Sequence, residues 1–349
     1  MKSGNTNSEQ VPSIVIIVLN WNSWEDTLEC LESLFQIDYP NYSVLVVDNG
    51  SENESVKKIK EYAIGKIKIK SKFCKYVPDN KPIKIIEFTD IMTKQIVADS
   101  REIQEFNDLK PNRKMILIKN KDNYGFAKGN NIGMKFSFKA LNPDYILLLN
   151  NDTAVAPDFL TKMITAGEAH APVGIIGPRI PYYDKPERNW FCKGIINWFS
   201  INIAYHSEMC AGRTTANDYI TGCAMLIKKE VIKKIGYLNE RLFLYFEDAE
   251  YSLRAKDKGF ELLVEPEAVV YHKVSATSYS FVLSKAQYYF SRNRLWFVKK
   301  YCPSKYLRLS MLFLYLRLIL AVGFFTLKRE RKTVSAILKA YSDGRRTSL

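Results

Sequence analysis

Residues 13–22 read SIVIIVLNWN, an uninterrupted apolar run rich in β-branched residues that ends in two asparagines around a tryptophan. A run of this kind is typical of a strand buried on both faces of a parallel sheet. Trp24–Phe35 follows with its leucines at helical spacing, and Tyr42–Val47 is a second apolar run. A strand, a helix and a strand in this order predict a right-handed parallel crossover, and therefore an α/β fold.

The same alternation continues along most of the chain. We predict a further helix at Phe126–Ala140 and further strands at Met115–Lys119, Tyr145–Leu149, Tyr219–Ile227, Glu261–Val264 and Ala268–Tyr271. Residues 57–114 are too long for an ordinary connection and are rich in lysine, so we interpret them as an insertion with partial structure of its own. The predicted organisation is a flexible N-terminus (1–11), one α/β domain (12–280) and a basic helical appendage (281–349).

The charge of the chain is its most unusual bulk property. Of its 349 residues 47% are hydrophobic and 25% are charged, as in ordinary globular proteins, but the formal net charge is +14. From Lys285 onward, fifteen Lys or Arg residues stand against only Glu330 and Asp343. Basic clusters indicate an anionic partner, which is nucleic acid, an anionic membrane surface or a phosphorylated substrate. We do not expect nucleic acid, because no helix-turn-helix or RNA-binding motif accompanies the charge.

The run Leu309–Leu327 contains one charge, Arg317, within 19 residues. Its length allows a membrane span, a buried helix or a helix lying at the membrane interface. A charge at mid-helix disfavours the span, and the flanking basic residues suit anionic head groups. The interfacial helix is therefore the favoured interpretation. The flanking residues are Lys305, Arg308, Lys328, Arg329, Arg331 and Lys332.

Cysteine usage and the N-terminus predict the compartment. The six cysteines show neither a C-x-x-C pair nor metal-ligand spacing, so we expect free thiols in a reducing compartment. Met1–Gln10 is polar and lacks the apolar core of a secretory signal. Together with the basic appendage, this predicts a cytoplasmic protein that is peripheral on the inner face of the cell membrane.

Polar residues follow each of the predicted parallel strands. The clusters are Asn20–Asn22, Asp48–Ser51, Asn123–Gly125 and Asn150–Asp152. Any one of them alone is ordinary turn chemistry. Because ligands of open α/β sheets bind outside the carboxyl ends of the strands, four such clusters together predict a binding cleft.

Asp152 and His272 are the candidate metal ligands. A carboxylate that emerges from a buried strand can hold Mg²⁺ or Mn²⁺ beside a substrate diphosphate. The alternative for Asp152 is a cap for the helix that begins near Pro157. His272 closes the apolar run 268–271, also at a carboxyl end; the alternative for this imidazole is a structural role.

The segment FEDAEYSLR, residues 246–254, concentrates three carboxylates. A half-buried carboxylate next to a substrate is a plausible general base. Glu250 and Arg254 stand at i and i+4 and can pair. The alternative is a solvated helix start whose acids favour the helix dipole. No G-x-G-x-x-G, Walker, G-x-S-x-G or H-E-x-x-H motif is present, which argues against dinucleotide enzymes, P-loop proteins, serine hydrolases and zincins.

These clusters, in this order, resemble glycosyltransferase family 2, a large family of inverting enzymes, and especially its rhamnosyltransferase-like branch. The resemblance covers roughly residues 12–56 and 115–280, and the stretch 219–278 is the most specific part. The matching stretches are IVIIVLNWN (14–22), VLVVDNGSENES (44–55), NKDNYGFAKGNNIGM (120–134), YILLLNNDTAVAPDFL (145–160) and YITGCAMLIKKEVIKKIGYLNERLFLYFEDAEYSLRAKDKGFELLVEPEAVVYHKVSATS (219–278).

The resemblance implies a GT-A fold, the Rossmann-like mixed sheet of nucleotide-diphospho-sugar transferases, for the domain 12–280. It implies a donor nucleotide-sugar site that includes Asn20, Asp48, Asn123, Gly125, Lys128, Asn130, Asn150 and Asn151. Asn150–Asp152 occupies the family's D-x-D position, so Asp152, with His272, would hold a divalent cation. Asp248 would be the catalytic base, supported on the acceptor side by Glu247, Glu250 and Arg254.

The implied function is inverting transfer of a sugar, rhamnose or another hexose, from a nucleotide-diphosphate sugar to an acceptor hydroxyl. The acceptor would be a cell-surface glycan or a lipid-linked precursor. This sequence departs from the family pattern in two places. Asn150 replaces the first D-x-D aspartate, and the insertion 57–114 has no counterpart. The first departure leaves open an alternative, a nucleotide-sugar-binding protein of the same fold with little or no transferase activity.

Overall fold

The computed structural model describes residues 11–90, 101–199, 202–205, 212–215, 217–274, 283–347 and 349. Residues 1–10 of the N-terminus expected to be flexible lie outside this part of the chain. The same holds for residues 275–280, at the end of the domain predicted from the sequence.

One mixed sheet forms the centre of the molecule. Its strands, in the order in which they pair, are β3 (Lys84–Thr89), β4 (Lys114–Lys119), β2 (Tyr42–Asp48), β1 (Ile14–Asn20), β5 (Tyr145–Asn150), β11 (Ala224–Lys228), β7 (Val173–Pro181), β12 (Glu261–His272) and β6 (Thr153–Val155). A short strand β8 (Asn189–Phe191) pairs with β7, and β9 (Gly194–Asn197) pairs with β10 (Asn202–Tyr205). The five strands from β3 to β5 run parallel, whereas β11 and β6 are antiparallel to their neighbours.

Helices cover the sheet and continue beyond it. They are α1 (Trp24–Leu34), α2 (Ser55–Ala63), α3 (Arg101–Asn107), α4 (Gly125–Ala140), α5 (Phe159–Glu168), α6 (Lys229–Ile235), α7 (Glu247–Asp257), α8 (Leu283–Tyr301), α9 (Ser304–Leu327) and α10 (Arg331–Arg346). Two short 3₁₀ turns span Pro78–Asn80 and Pro111–Arg113. The predicted helices and strands of the parallel half are confirmed to within one or two residues, because fully buried strands are short continuous apolar runs, whereas one-sided helices repeat their apolar residues every three or four positions.

The central strand β1 explains the position of the cleft. All but one of its residues are buried, as expected for a strand covered on both faces. After β1 the chain forms β2 on one side of β1, and it later forms β5 on the other side of β1. Between β1 and β5 the strand order therefore reverses, and a crevice opens at this point beyond the strands' carboxyl ends.

Two predicted strands differ from the structure. The strand expected at Tyr219–Ile227 begins only at Ala224, because Thr221–Cys223 form a turn in which Gly222 donates its N–H to Asp248. The runs Glu261–Val264 and Ala268–Tyr271 are one strand, β12, whose register shifts between Glu265 and Val269. An irregularity of this type keeps the strand paired but interrupts its alternation, so the sequence shows two short runs.

Residues 57–114 extend the sheet. They contain most of α2, together with β3 and α3, and β3 pairs parallel to β4 at the edge. A buried ion pair joins this segment to α1, since Lys81 Nζ lies 3.0 Å from Glu32 Oε2. The lysine-rich segment is thus packed on the domain through specific contacts within the residues described.

The C-terminal helices pack on one another and on the domain. Phe297 of α8 lies in the main core, whereas Leu295, Val298, Leu314, Ile337 and Tyr341 form a second small core among α8, α9 and α10. Helix α9 has 24 residues, and its length and apolar composition would allow it to cross a membrane. Only 11% of its most apolar 18-residue stretch is buried within the protein. Most of its exposed side chains are hydrophobic, for example Ile319, Leu320 and Leu327.

The expectation of six free cysteines is wrong for Cys192, which is disulfide-bonded. Cys30, Cys74, Cys223 and Cys302 are free thiols. A disulfide requires two Cα atoms within about 7 Å. That proximity arises from the fold, so the spacing of cysteines along the chain did not reveal it.

Candidate functional site

The carboxyl ends of four parallel strands bring predicted donor residues together. In the sheet register Asn20 of β1 stands beside Asp48 of β2, and Leu19 stands beside Asn150 of β5. Asn123 comes just after β4, on the same edge. The sequence clusters therefore meet because parallel strands end at one side of the sheet.

Asp48 is held by a network of short hydrogen bonds. Its Oδ1 accepts from Asn20 Nδ2 at 2.7 Å and from Ser51 Oγ at 2.6 Å, and its Oδ2 accepts from the Ser51 N–H at 3.1 Å. Asn20 is completely buried, and its own Oδ1 accepts from Thr27. Asn20 therefore orients Asp48 rather than reaching the cleft, whereas Asp48 borders it.

Two cavities lie along this edge of the sheet. The first has a volume of about 320 Å³ and is bordered by Asn150, Asp152, Asp248 and His272 among other residues. The second has a volume of about 820 Å³ and is bordered by Asp48. Trp21, Asn123 and Phe243 line both, so the two cavities are adjoining parts of one cleft of a size typical for ligand sites.

Asp152 and His272 form the polar pair of the smaller cavity. Asp152 Oδ1 and His272 Nε2 are 3.2 Å apart, and both side chains are buried. The backbone explains this contact, because β12 pairs with β6 so that His272 lies opposite Thr153. Trp190 packs edge-on against the imidazole at 4.5 Å between ring centroids.

A carboxylate and an imidazole are side chains that can bind a divalent cation. Nε2 of His272 and Oδ1 of Asp152 lie 3.2 Å apart, and both residues border the same cavity, so one cation could contact both atoms. Within the described residues no group of three or more His, Cys, Asp or Glu side chains is arranged around a common metal position. Two protein ligands suffice for Mg²⁺ or Mn²⁺ when substrate phosphates and water supply the others, so the residues fit a cation that arrives with a diphosphate.

Asp248 lies in the first turn of α7 and borders the same cavity. Its Oδ2 accepts the N–H of Gly222 at 3.0 Å, and its Oδ1 accepts the N–H of Ala249 at 2.7 Å. Burial raises the pKa of Asp248, although these backbone donors oppose the shift. Burial, and then the charge of Asp248, raise the pKa of Glu247 well above its usual range. Of the two, Asp248 is the better stabilised anion.

The loop that leads into α7, and so to Asp248, has a strained backbone. Tyr245 and Phe246, which precede α7, have φ angles of +72° and +71°. Left-handed conformations are uncommon for bulky residues, and they persist where the surrounding contacts determine them. Here Asn293 of α8 is fully buried and donates its Nδ2 to the carbonyls of Leu244 at 2.8 Å and Tyr245 at 3.1 Å.

Gly125 has a specific steric role at the cleft. Its φ is +80°, and a Cβ added there would lie 2.4 Å from the carbonyl oxygen of Phe243. The N–H of Phe126 donates to that same carbonyl at 2.7 Å. Only glycine permits the start of α4 to approach the carbonyl of Phe243 so closely.

Several predicted residues lie away from the cavity walls. Lys128 packs over the ring of Tyr124, and Asn130 donates to the carbonyl of Phe126 in its own helix. Glu250 is buried and pairs with Arg254, which also donates to the carbonyls of Ile235 and Tyr237. Asn151 borders the smaller cavity, but its Nδ2 donates to Thr27 Oγ1.

The sequence reasoning missed several residues that border the cleft. Trp21 and Phe243 stand where the two cavities meet, and Trp190 contacts His272. Trp21 carried a usable signal, because it lies within the Asn20–Asn22 cluster. Trp190 carried none, since it reaches the site through the pairing of β8 with β7.

Comparisons with known proteins agree on the family. Residues 77–294 match the family described as "Glycosyltransferase like family 2", and residues 13–80 match "Glycosyl transferase family 2". The first match alone covers more than half of the chain.

Two curated relatives align with about half of the chain. One is the low-salt glycan biosynthesis hexosyltransferase Agl10 of Haloferax volcanii, 26% identical over 173 residues, which are 48% of this chain and 54% of the relative. The other is the dTDP-rhamnosyl transferase RfbF of Shigella flexneri, 24% identical over 185 residues, 52% of this chain and 60% of the relative. The chain thus spans somewhat over half the length of these relatives.

Solved structures confirm the predicted GT-A fold. The mannosyltransferase PcManGT from Pyrobaculum calidifontis, in complex with GDP-Man and Mn²⁺, superposes with a TM-score of 0.53 at 12% identity, over 96% of this chain and 88% of that one. GalNAc-T7 with UDP, GalNAc and Mn²⁺ superposes with a TM-score of 0.52 at 13% identity, over 87% of this chain and 55% of that one.

Proposed function

This chain belongs to glycosyltransferase family 2, and we propose that it transfers a sugar from a nucleotide-diphosphate donor to an acceptor hydroxyl with inversion. The observation that carries the proposal is the cleft itself. One part is bordered by Asp248 and by the Asp152–His272 pair, and the adjoining part is bordered by Asp48. In this proposal Asp248 is the base, the Asp152–His272 pair lies at the donor diphosphate, and Asp48 lies at the nucleoside.

The proposed reaction is one in-line displacement. The acceptor oxygen forms a bond to the anomeric carbon as the bond from that carbon to the donor diphosphate breaks, and Asp248 takes the hydroxyl proton. Attack on the face opposite the leaving group inverts the anomeric configuration. Asp152 and His272 would hold a divalent cation with the donor diphosphate, and such a cation neutralises charge on the leaving group.

The sugar proposed is rhamnose or another hexose. The dTDP-rhamnosyl transferase and the hexosyltransferase among the relatives support this class. We propose a glycan or a lipid-linked precursor as the acceptor, because the hexosyltransferase is named for glycan biosynthesis.

A donor panel tests the proposal. Purified full-length protein is incubated with Mn²⁺ and a set of nucleotide sugars that includes dTDP-rhamnose and the uridine and guanosine diphosphate hexoses. Release of the nucleoside diphosphate and thermal stabilisation are both measured. Binding with turnover supports the transferase. Binding without turnover on any acceptor tested favours the alternative suggested by Asn150, a nucleotide-sugar-binding protein. The absence of both binding and turnover would contradict both hypotheses.

We further propose that α9 holds the protein against an anionic membrane surface. Ile319 and Leu320 are 67% and 72% exposed, and basic residues flank both ends of the helix. Burying an apolar helix face at the head-group boundary, with basic residues near anionic lipids, stabilises such attachment.

Vesicle sedimentation measures this attachment. The wild type should sediment with phosphatidylglycerol vesicles and less with neutral phosphatidylcholine vesicles, whereas the double variant Ile319→Glu, Leu320→Glu should stay in solution. Ile64→Glu changes an exposed apolar residue of the domain and serves as the matched control. Equal sedimentation of the double variant and the control would contradict the role of α9.

A further inference from the structure

The larger cavity has walls from two parts of the chain. One wall belongs to the α/β domain and includes Trp21, Asp48 and Asn123. The other belongs to the C-terminal helices, and its residues are Ser284, Lys285, Tyr288 and Tyr289 of α8 with Ala336 and Lys339 of α10. The appendage therefore closes the side of the cleft next to Asp48.

Specific contacts fix this second wall in place. The rings of Tyr289 and Phe243 stack with centroids 4.6 Å apart. Tyr301 donates its hydroxyl to the buried Glu250 at 2.8 Å, and Asn293 donates to the carbonyls of Leu244 and Tyr245 as described above. Helix α10 is joined to α8 by the hydrogen bond from Tyr288 Oη to Asp343 at 2.7 Å.

The chemistry of the combined walls suits a nucleoside diphosphate. Trp21, Tyr288 and Tyr289 offer aromatic surface of the kind on which nucleobases stack. Four lysines and three carboxylates border the cavity, an excess of positive charge that favours an anionic ligand. Two of these lysines, Lys285 and Lys339, come from the appendage, and Lys339 forms no ion pair with any other residue that the structure describes.

We propose that the C-terminal helices form one wall of the donor nucleotide site, with Tyr288 and Lys339 bordering the nucleoside end and Lys339 attracting the phosphates through its charge. The proposal rests on the proposed function, because it assigns the larger cavity to the donor. It gives the appendage a role in donor recognition that is separate from membrane attachment, since α9 contributes no residue to this cavity.

Calorimetry on the full-length protein tests the proposal with Mn²⁺ present and dTDP, UDP and GDP as ligands. We expect Lys339→Ala to weaken binding of the preferred nucleotide roughly fivefold, the effect of losing one charged contact. The difference should shrink at 1 M salt, where charge interactions are screened. Lys234→Ala, an exposed helical lysine that borders neither cavity, should bind as the wild type does.

Tyr288→Ala distinguishes contacts with the nucleobase from contacts with the phosphates. It should weaken the same nucleotide about tenfold, the range of a stacking contact, and should leave binding of inorganic pyrophosphate unchanged. Lys339→Ala should weaken pyrophosphate as well. If the wild type binds none of the three nucleotides, the proposed function fails. If the wild type binds and both variants bind within twofold of it, the assignment of the C-terminal helices is wrong while the proposed function stands.

Discussion

Asp248→Asn should lower the rate of sugar transfer by about 10²–10⁴-fold, the range that a positioned general base contributes. The change removes the proton acceptor but keeps the side chain's size, and the Asn oxygen can still accept one backbone N–H. Donor binding should therefore stay close to that of the wild type. Initial rates under saturating donor, with calorimetry of nucleoside diphosphate binding, separate the two effects.

Glu247→Gln is the matched control for this prediction. Glu247 borders the same cavity, but its pKa is raised well above the usual range by burial and by Asp248. Replacing a carboxyl group that is poorly ionised by a neutral amide should change the rate little. A large loss in Glu247→Gln with near-normal turnover in Asp248→Asn would assign the base to Glu247 instead.

The pH profile gives a second measure of the same base. Asp248 accepts a proton only when it is ionised, and burial raises its pKa. The transfer rate should therefore fall as the pH drops through this raised pKa. The acid limb should lie above the value of about 3.9 that is typical of an exposed aspartate. In Asp248→Asn the residual rate should lack that limb.

Asp152→Ala should lower the transfer rate by about 10²–10³-fold, comparable with the loss of one charge-stabilising group at a reaction centre. Asp152 is the carboxylate of the buried pair with His272, and a carboxylate is the ligand that a hard cation prefers. In the wild type, EDTA should weaken nucleoside diphosphate binding, and Mn²⁺ should restore it. In Asp152→Ala, EDTA and Mn²⁺ should change binding little.

Asp257→Ala controls for the loss of a negative charge. Asp257 is exposed at the end of α7 and borders neither cavity, so its removal should leave the response to Mn²⁺ intact. Thermal unfolding of both variants checks that the fold is retained. Binding by Asp152→Ala that still rises strongly with Mn²⁺ would contradict a cation held by Asp152.

The parallel half of the sheet was predictable because local pattern determines it. Val15 and Leu45 belong to apolar runs of strand length, and Leu28 and Leu31 repeat at helical spacing. The fold confirms these elements. The position of Asp48 at a carboxyl end also followed, since every parallel strand of one sheet ends at the same edge.

The acidic segment was only partly predictable. The spacing of Glu250 and Arg254 indicated their pairing, which the structure contains. It could not indicate that Tyr245 and Phe246 take left-handed conformations. That loop accepts hydrogen bonds from Asn293, which lies 48 residues beyond Tyr245 in the chain.

Tyr288 and Tyr289 illustrate the limit of pattern. They lie among basic residues in the appendage that the sequence predicts to be helical, yet both border the larger cavity. Helical periodicity shows that a face is apolar or charged but does not identify the surface against which that face packs.

By itself, the sequence determined the α/β class, the succession of strands and helices along the chain from β1 to β5, and the polar residues that follow those strands. These features depend on periodicity and on neighbours within a few positions. Only the tertiary structure decided that His272 meets Asp152, that Cys192 is disulfide-bonded and that the C-terminal helices close the cleft beside Asp48. The physical reason is that such contacts join residues that are far apart in the chain. Their proximity is set by the packing of the whole core, which no short stretch of sequence encodes.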